Sequence, residues 1–376
     1  MPPPTPYSPD DSHLSPASLN FLATPEGITL RTRILALLAG RPHRKLTVAD
    51  IAALRKSTSP DHLHAALTLC QLQPKAAQKF PSLHDAAGFV FATPEALEQA
   101  TDELLAAHKA TRFAPALLPD THIIDYCSGI GGDSLPLANI APLTAIDLSP
   151  ARTTCLRLNA QSLPPKHPLT IQSTDITTHS LSTIHHSLFH IDPARRHAGR
   201  RSHQYADLLP APDFLATLIS HHPGGAIKLS PAVDFDSLPG ARGEIPSHLE
   251  LLSHNGAVLQ AVLYTGSLAA QFPPNTRTAT LLSPTAPPFS FTHQAQVSQS
   301  LTPLPQPGDY LYELDGALTR AQLAAPFANI HNLTPLTPDA GYLSSPRLLH
   351  HPALTPFQVT ALLPYHEKKI LAHLRA

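Results

Sequence analysis

Apolar and polar positions change their rhythm once along the chain, near residue 121. Before that point apolar residues recur at intervals of three and four, the period of a helix with one buried face. The stretch ITLRTRILALLAG, from Ile28, predicts a helix ended by Gly40. Thr47 can cap a second helix, VADIAALRK, with Asp50 three residues on in a near-capping-box position. A third, HLHAALTLCQLQPKAAQKF, follows Ser59-Pro60-Asp61. Pro74 is expected to break or kink it, because proline has no amide hydrogen and its ring crowds the preceding turn. A fourth runs through PEALEQATDELLAAHKATRFAP, with Thr93 as N-cap, Pro94 at the first helical position and Pro115 just past the end. Residues 1–26, rich in Pro, Ser and Asp, offer few groups to anchor them and read as a disordered arm. The helical N-terminal domain is therefore expected over residues 27–117.

Beyond residue 121 short runs of Ile, Leu and Val alternate with loops and helical stretches: HIIDYCS, LTAIDLS, LTIQSTD, SLFHIDP and GAIKLSP. That series predicts an α/β domain, a mostly parallel sheet with helices on its faces, over residues 118–266. HLELLSHNGAVLQAVLYTG follows, two apolar strands joined through Asn255-Gly256. Both turn residues tolerate a positive φ, so the segment predicts an antiparallel hairpin closing the parallel sheet. Residues 267–376 begin Pro- and Thr-rich and then mix strand-like and helical pieces, a small C-terminal α+β domain in which FSFTHQAQVSQSL can supply a strand or two. Tyr264, Tyr310 and Tyr312 occupy strand positions where packing in a core is the expected role.

Composition narrows the function. Of 376 residues, 42% are hydrophobic, enough for a sizeable core, and only 14% are charged, against roughly 25% in ordinary soluble domains. Proline (42) and histidine (24) fill the difference. The formal net charge of -1 provides no long-range positive field to attract a polyanion, although local basic patches can still exist. Three widely spaced cysteines, Cys70, Cys127 and Cys155, have neither zinc-site nor redox-motif spacing and read as free thiols in a reducing compartment. No metal site is expected from them or from the scattered histidines. The N-terminus lacks the basic and then apolar layout of a signal peptide, and no apolar run is long enough to span a bilayer. A cytoplasmic protein with no membrane partner is the expectation; oligomeric state is open.

The sharpest stretch is Asp125-Tyr126-Cys127-Ser128-Gly129-Ile130-Gly131-Gly132-Asp133-Ser134, between an apolar strand and the helical SLPLANI. Three glycines let backbone pass close to a ligand with no Cβ in the way. The next strand, LTAIDLS, delivers Asp147, an acid that suits the paired hydroxyls of a ribose. No Gly-Lys-Ser/Thr ending follows the glycines, so this is not a phosphate loop. Asp133 beside the turn would repel a pyrophosphate, which favours a nucleoside without phosphates over a dinucleotide or nucleoside triphosphate. Further on, Asp192 ends SLFHIDP, followed by the dense basic run Arg195-Arg196-His197-Ala198-Gly199-Arg200-Arg201.

Asp125 through Asp133 and AIDLSP around Asp147 resemble the first two motifs of class I S-adenosylmethionine-dependent methyltransferases. Asp192-Pro193-Ala194-Arg195-Arg196 resembles their fourth. Within that superfamily the Gly-Ile-Gly-Gly-Asp turn and the Asp-Pro-Ala-Arg-Arg element are similar to a bacterial group with a THUMP-like C-terminal domain. The similarity extends from the front helices through Glu313 to Pro364-Tyr365-His366-Glu367-Lys368. It implies a Rossmann-like class I methyltransferase sheet and the cofactor S-adenosylmethionine. It also implies a THUMP-like region that is shortened here, because members of the group continue further.

The resemblance further implies that Asp125, Cys127, Gly129, Gly131, Gly132 and Asp133 hold the amino-acid end of the cofactor. Asp147 would sit at its ribose and Asp175 at its adenine, with Leu148 and Asp192 further cofactor contacts. Asp192 and Pro193 fall where the methyl acceptor meets the sulfonium, the catalytic position. In amino methyltransferases of similar design a second proline and an aromatic residue follow; here Ala194 and Arg195 stand in their place, so the usual stacking platform is missing. An arginine guanidinium can itself stack on a base or grip a phosphate. Arg195, Arg196, Arg200, Arg201 and Lys228, the last at the end of the fifth strand, are the candidate substrate contacts. The expectation is methyl transfer to RNA. A small-molecule or protein acceptor, or a noncatalytic RNA-binding protein that keeps the fold as scaffold, are the alternatives.

Overall fold

A computed structural model describes residues 14–40, 45–178, 187–197, 200–201, 203–241, 243–295, 306–336 and 341–375; the side chains of residues 195–197, 200, 201 and 369 lie outside that description. The chain forms two compact units. One comprises the chain up to Lys228 with Asp234–Ile245 and Tyr264–Gln271, and the other Leu229–Val233, Pro246–Leu263 and the chain from Phe272 onward.

The first unit begins with helices α1 (Pro16–Phe21), α2 (Pro25–Ala39), α3 (Val48–Arg55), α4 (Pro60–Lys79), α5 (Pro81–Ala87), α6 (Pro94–Gln99) and α7 (Glu103–Phe113). Residues 14–26, expected as part of a disordered arm, are folded, since α1 starts at Pro16 and Leu14, Leu19 and Leu22 are buried; the rest of the expected arm, residues 1–13, lies outside the described residues. The signal was present in the sequence: Ser15 and Thr24 cap α1 and α2 through their hydroxyls, each followed by a proline at the first helical position. Thr47 and Asp50 complete a capping box on α3. Two expectations fail. α4 runs unbroken through Pro74, which lies on its exposed side while Leu63, Leu69, Cys70 and Gln73 are buried on the other. The expected fourth helix is two, because Ala100 and Asp102 are extended and Thr101 between them is buried.

The sheet of this unit follows. Its elements are β1 (His122–Tyr126), α8 (Ser134–Ala138), β2 (Leu143–Asp147), α9 (Pro150–Ser162), β3 (Leu169–Ser173), β4 (Ser187–Ile191), β5 (Ala194–His197), β6 (Arg200–Arg201), β7 (Leu208–Leu209), α10 (Pro212–His221) and β8 (Gly224–Leu229). All five expected strands form and pair in parallel in the order β3-β2-β1-β4-β8. The order reverses between β1 and β4, the switch point outside which open α/β sheets bind ligands. A three-stranded antiparallel ribbon, β6-β5-β7, follows β4.

The front helices share one core with α9: Leu19, Leu30, Ile34, Leu69 and Leu97 cluster with Cys155 and Leu158. The buried extended segment Phe89–Ala92 threads through it, and two side chains satisfy its backbone. Gln73 exchanges hydrogen bonds with Val90 (2.8 and 2.9 Å) and Asn159 with Phe91 (both 2.9 Å), leaving those amides and carbonyls paired inside the core.

In the second unit β9 (Ser247–His254) and β10 (Ala257–Gly266) form the expected hairpin, with Asn255 and Gly256 at φ of 52° and 75°. The last residues of β10 belong to the first unit, where Thr265 Oγ1 donates to the Gly225 carbonyl (3.4 Å). β11 (Thr276–Leu282), which the sequence reading did not assign, runs parallel to β9, and β12 (Phe289–Gln294) returns antiparallel beside it. The tail supplies β13 (Tyr310–Leu314), α11 (Gly316–Arg320), α12 (Ala324–Ile330), β14 (Thr334–Pro335), β15 (Tyr342–Ser345), β16 (Leu354–Gln358) and α13 (Glu367–Arg375). Its strands make a four-stranded antiparallel sheet, β14-β15-β13-β16. Tyr312 is fully buried there, its hydroxyl donating to the Arg347 carbonyl (2.8 Å), and Tyr264 is likewise core in the first unit. No helix among the described residues is long and apolar enough to cross a membrane.

Candidate functional site

A cavity of about 660 Å³ opens at the carboxyl ends of β1, β2 and β4, within the size range of small-ligand sites. The glycine turn forms one wall. Cys127, Gly129 and Gly131 all take positive φ (59°, 57° and 97°), which turns the chain sharply from β1 into α8. At Gly132 any side chain is excluded, since a Cβ there would lie 2.9 Å from the Thr101 carbonyl oxygen. Ser128 lines the cavity with its hydroxyl buried and without a hydrogen-bond partner among the described residues, an acceptor or donor waiting for a ligand group.

Asp147 ends β2 and braces this turn. Its two oxygens accept from the amides of Gly129 and Ser149, each at 2.8 Å. A carboxylate has about four lone-pair sites, so it can still take ribose hydroxyls. Burial pushes its carboxyl up, opposed by Arg152 and those two amides. Leu148 is partly exposed beside it, and Asp175 stands exposed at the rim, its Oδ1 held by the amide and hydroxyl of Thr177 (2.9 and 2.7 Å).

Below the turn lies a buried charged network. Asp125 sits opposite His190 in the β1–β4 register and accepts from its Nδ1 (2.7 Å) and from the Ser134 hydroxyl. With Nδ1–H donating to that carboxylate, His190 Nε2 is left as the acceptor for the Lys109 ammonium at 3.4 Å. Lys109 also pairs with Asp133 Oδ1 (2.5 Å), and the Thr101 hydroxyl donates to Asp133 Oδ2 (2.6 Å). Burial alone would push Asp133 up, but the ammonium groups of Lys109 and Lys228 hold its carboxyl well below the usual carboxylate range. Lys109 is itself drawn down by burial, with Asp133 opposing. Asp133 is thus a paired ion facing inward, not a free charge beside the turn.

Asp192 and Pro193 follow β4 and line the same cavity. Lys228, a candidate substrate contact in the sequence, is buried, donating to Asp192 Oδ2 (2.5 Å) and to the Gln99 carbonyl (3.1 Å). Cys127 also lines the cavity, and burial, with Asp147, Asp192 and Asp125 nearby, pushes its thiol well up, which favours the neutral form. Arg195, Arg196, Arg200 and Arg201 lie on β5 and β6, directly after Asp192-Pro193, and their side chains fall outside the described residues. Among the described residues no cluster of three or more His, Cys, Asp or Glu could hold a metal ion.

The structure therefore gathers Asp125, Cys127, Gly129, Gly132, Asp147 and Asp192 around one cavity. Sequence reasoning missed Lys109, Thr101 and His190. Lys109 carried a signal, because it stands four residues from both Leu105 and Phe113 on the buried stripe of α7, where an unpaired charge could not stay. His190 and Thr101 carried none.

No family model matches the chain. Two curated proteins, both named uncharacterized S-adenosylmethionine-dependent methyltransferases, from Mycobacterium tuberculosis strains CDC 1551 and H37Rv, are each 30% identical to it over 292 residues. The match covers 74% of this chain and 72% of theirs. Among solved structures, a putative methyltransferase from Porphyromonas gingivalis W83 superposes with a TM-score of 0.71 at 22% identity, covering 97% of this chain and 86% of that one; the likeness is one of fold.

Proposed function

The chain belongs to the S-adenosylmethionine-dependent methyltransferases, and from that premise we propose that it methylates RNA at the cavity outside β1, β2 and β4. The observation that carries this reading is the convergence of the glycine turn, Asp147 and Asp192 on that one cavity. The residues present fit the cofactor: an uncharged wall at Cys127, an open approach at Gly129, and an unsatisfied buried hydroxyl at Ser128. When bound, S-adenosylmethionine supplies an electrophilic methyl group on sulfur.

The chain's own contribution is positioning. Asp147 accepts the ribose hydroxyls, and the amides around Gly129–Gly132 with Asp125 and Asp133 beneath them receive the amino-acid end. Leu148 and Asp175 flank the base. Asp192, held by Lys228, accepts a hydrogen bond from the acceptor group and orients its lone pair. Pro193 closes the wall beside it.

RNA is favoured as substrate by the run Arg195 to Arg201, which begins two residues after Pro193 and whose described residues lie on the antiparallel pair β5 and β6. Guanidinium forks match phosphate geometry, and such contacts place a nucleic-acid backbone without reading its sequence. A THUMP-like character for residues 267–376 belongs to the same proposal and rests on the sequence resemblance.

Titration of S-adenosylmethionine tests the cofactor step. The wild type is expected to bind saturably and Asp147→Ala to bind at least about tenfold more weakly; equal affinity for the two would sink the assignment. Incubation with tritiated cofactor and fractionated cell RNA, followed by nucleoside mass spectrometry, tests the acceptor. Label confined to protein or to small metabolites would replace RNA with that class.

A further inference from the structure

The non-helical break between α6 and α7 forms part of the cavity wall: Gln99, Ala100 and Thr101 all line it. Ties from two sides hold this short segment. On the cofactor side, the Thr101 hydroxyl donates to Asp133 (2.6 Å), Lys109 Nζ lies 3.4 Å from the same hydroxyl and 2.5 Å from Asp133, and the approach of Thr101 leaves no room for a Cβ at Gly132. On the acceptor side, Lys228 joins the Gln99 carbonyl to Asp192. We propose that Lys109 is a positioning residue for cofactor binding, and that residues 99–101 are a strut linking the glycine turn to Asp192.

The proposal rests on reading the cavity as the S-adenosylmethionine site. Its physical basis is the placement of the ion pair. A buried salt bridge is a poor way to gain stability, because desolvating both charges offsets most of their attraction and an apolar pair of the same volume often does as well. Lys109 and Asp133 do not sit at the centre of the helical core. They sit directly under the glycine turn, at the only described break in the helical path from Pro94 to Phe113. There the pair fixes the direction of the Asp133 carboxylate, and through Thr101 it fixes how closely the break approaches Gly132. A helix carried smoothly through residues 100–102 could not place Thr101 in this way. The front helices are thereby part of the binding site, and occupancy of the cavity is communicated to the backbone beside Lys228 and Asp192.

Lys109→Met alone would leave Asp133 buried without its partner and risks unfolding the protein. The informative variant is Lys109→Met combined with Asp133→Asn, which removes both charges together and leaves neither buried without its counter-charge. Wild type and double variant would be titrated with S-adenosylmethionine, and amide hydrogen exchange followed at residues 99–101 and 129–134 with and without it. The expected result is a folded double variant, melting within a few degrees of wild type, that binds at least about tenfold more weakly. Added cofactor should slow exchange at residues 99–101 in the wild type and not in the double variant. A double variant that binds within about twofold of wild type, with residues 99–101 still protected, overturns the positioning role and leaves the cofactor reading standing. Absence of cofactor binding by the wild type overturns both.

Discussion

His222 shows how one buried side chain ties stability to pH. Its Nδ1 donates to the Ser187 carbonyl (2.6 Å) and its Nε2 faces the Tyr126 hydroxyl (3.3 Å), an arrangement that holds the neutral ring. Burial pulls its pKa from 6.5 down to about 4. The denatured chain therefore takes up the proton first as pH falls. The contribution of His222 is complete above about pH 6.5, declines below it, and is gone near pH 4, a loss of about 3–4 kcal/mol at roughly 1.4 kcal/mol per unit. Chemical denaturation of wild type and His222→Asn across that window should show the wild-type advantage shrinking steadily; an advantage independent of pH would refute the assignment. Legibility at this scale was uneven. Asp125, Asp147 and Asp192 could be found because acids at strand ends stand out in apolar runs. His190 could not, because its meaning comes from lying opposite Asp125 in the sheet register. Lys228 was placed in the right crevice, but its burial and its bond to Asp192 depend on a strand and a helix break 129 residues apart.

Among the elements, the caps at Thr47 and Thr93 were read correctly, those at Ser15 and Thr24 were missed inside the expected arm, and proline misled. Ser and Thr caps form at α1, α2, α3, α4 and α6, each a local event between residues three apart. α5 was hidden behind the end of α4, although Phe80-Pro81 and Gly88 at φ 65° mark its start and stop. Pro74 was expected to interrupt α4, yet its fixed φ is compatible with a helix and the buried face of α4 outweighs one missing hydrogen bond. Pro74→Ala restores an amide donor at an exposed position and is expected to stabilise the protein by about 1–3 kcal/mol, read as a higher denaturation midpoint at unchanged slope. No gain would mean that the proline relieves strain elsewhere in α4. The break at residues 100–102 is the converse: between two stretches rich in helix formers, the chain leaves the helix at Thr101 and Asp102, both weak helix formers, and Thr101 makes a long-range bond to Asp133.

For the whole molecule, the cavity and all its lining residues lie in the first unit. Cofactor at about a hundred times its Kd should stabilise the fold that binds it by about 2.7 kcal/mol. Hydrogen exchange should slow within residues 95–211 and stay unchanged across β13, β15 and β16; protection centred on those tail strands would place the ligand elsewhere. The chain's linear order was enough to establish the helical front, five strands of a parallel sheet, the Asn-Gly hairpin and the glycine turn. Each depends on periodicity or on turn chemistry among neighbours a few residues apart, where local sterics and hydrogen bonding dominate. The shared core of the front helices and α9, the strut at residues 99–101, and the pairing of Lys109 with Asp133 and Lys228 with Asp192 required the folded chain. Those contacts join residues far apart in sequence, and their strength comes from exclusion of water, which exists only once the surrounding surfaces have closed over them.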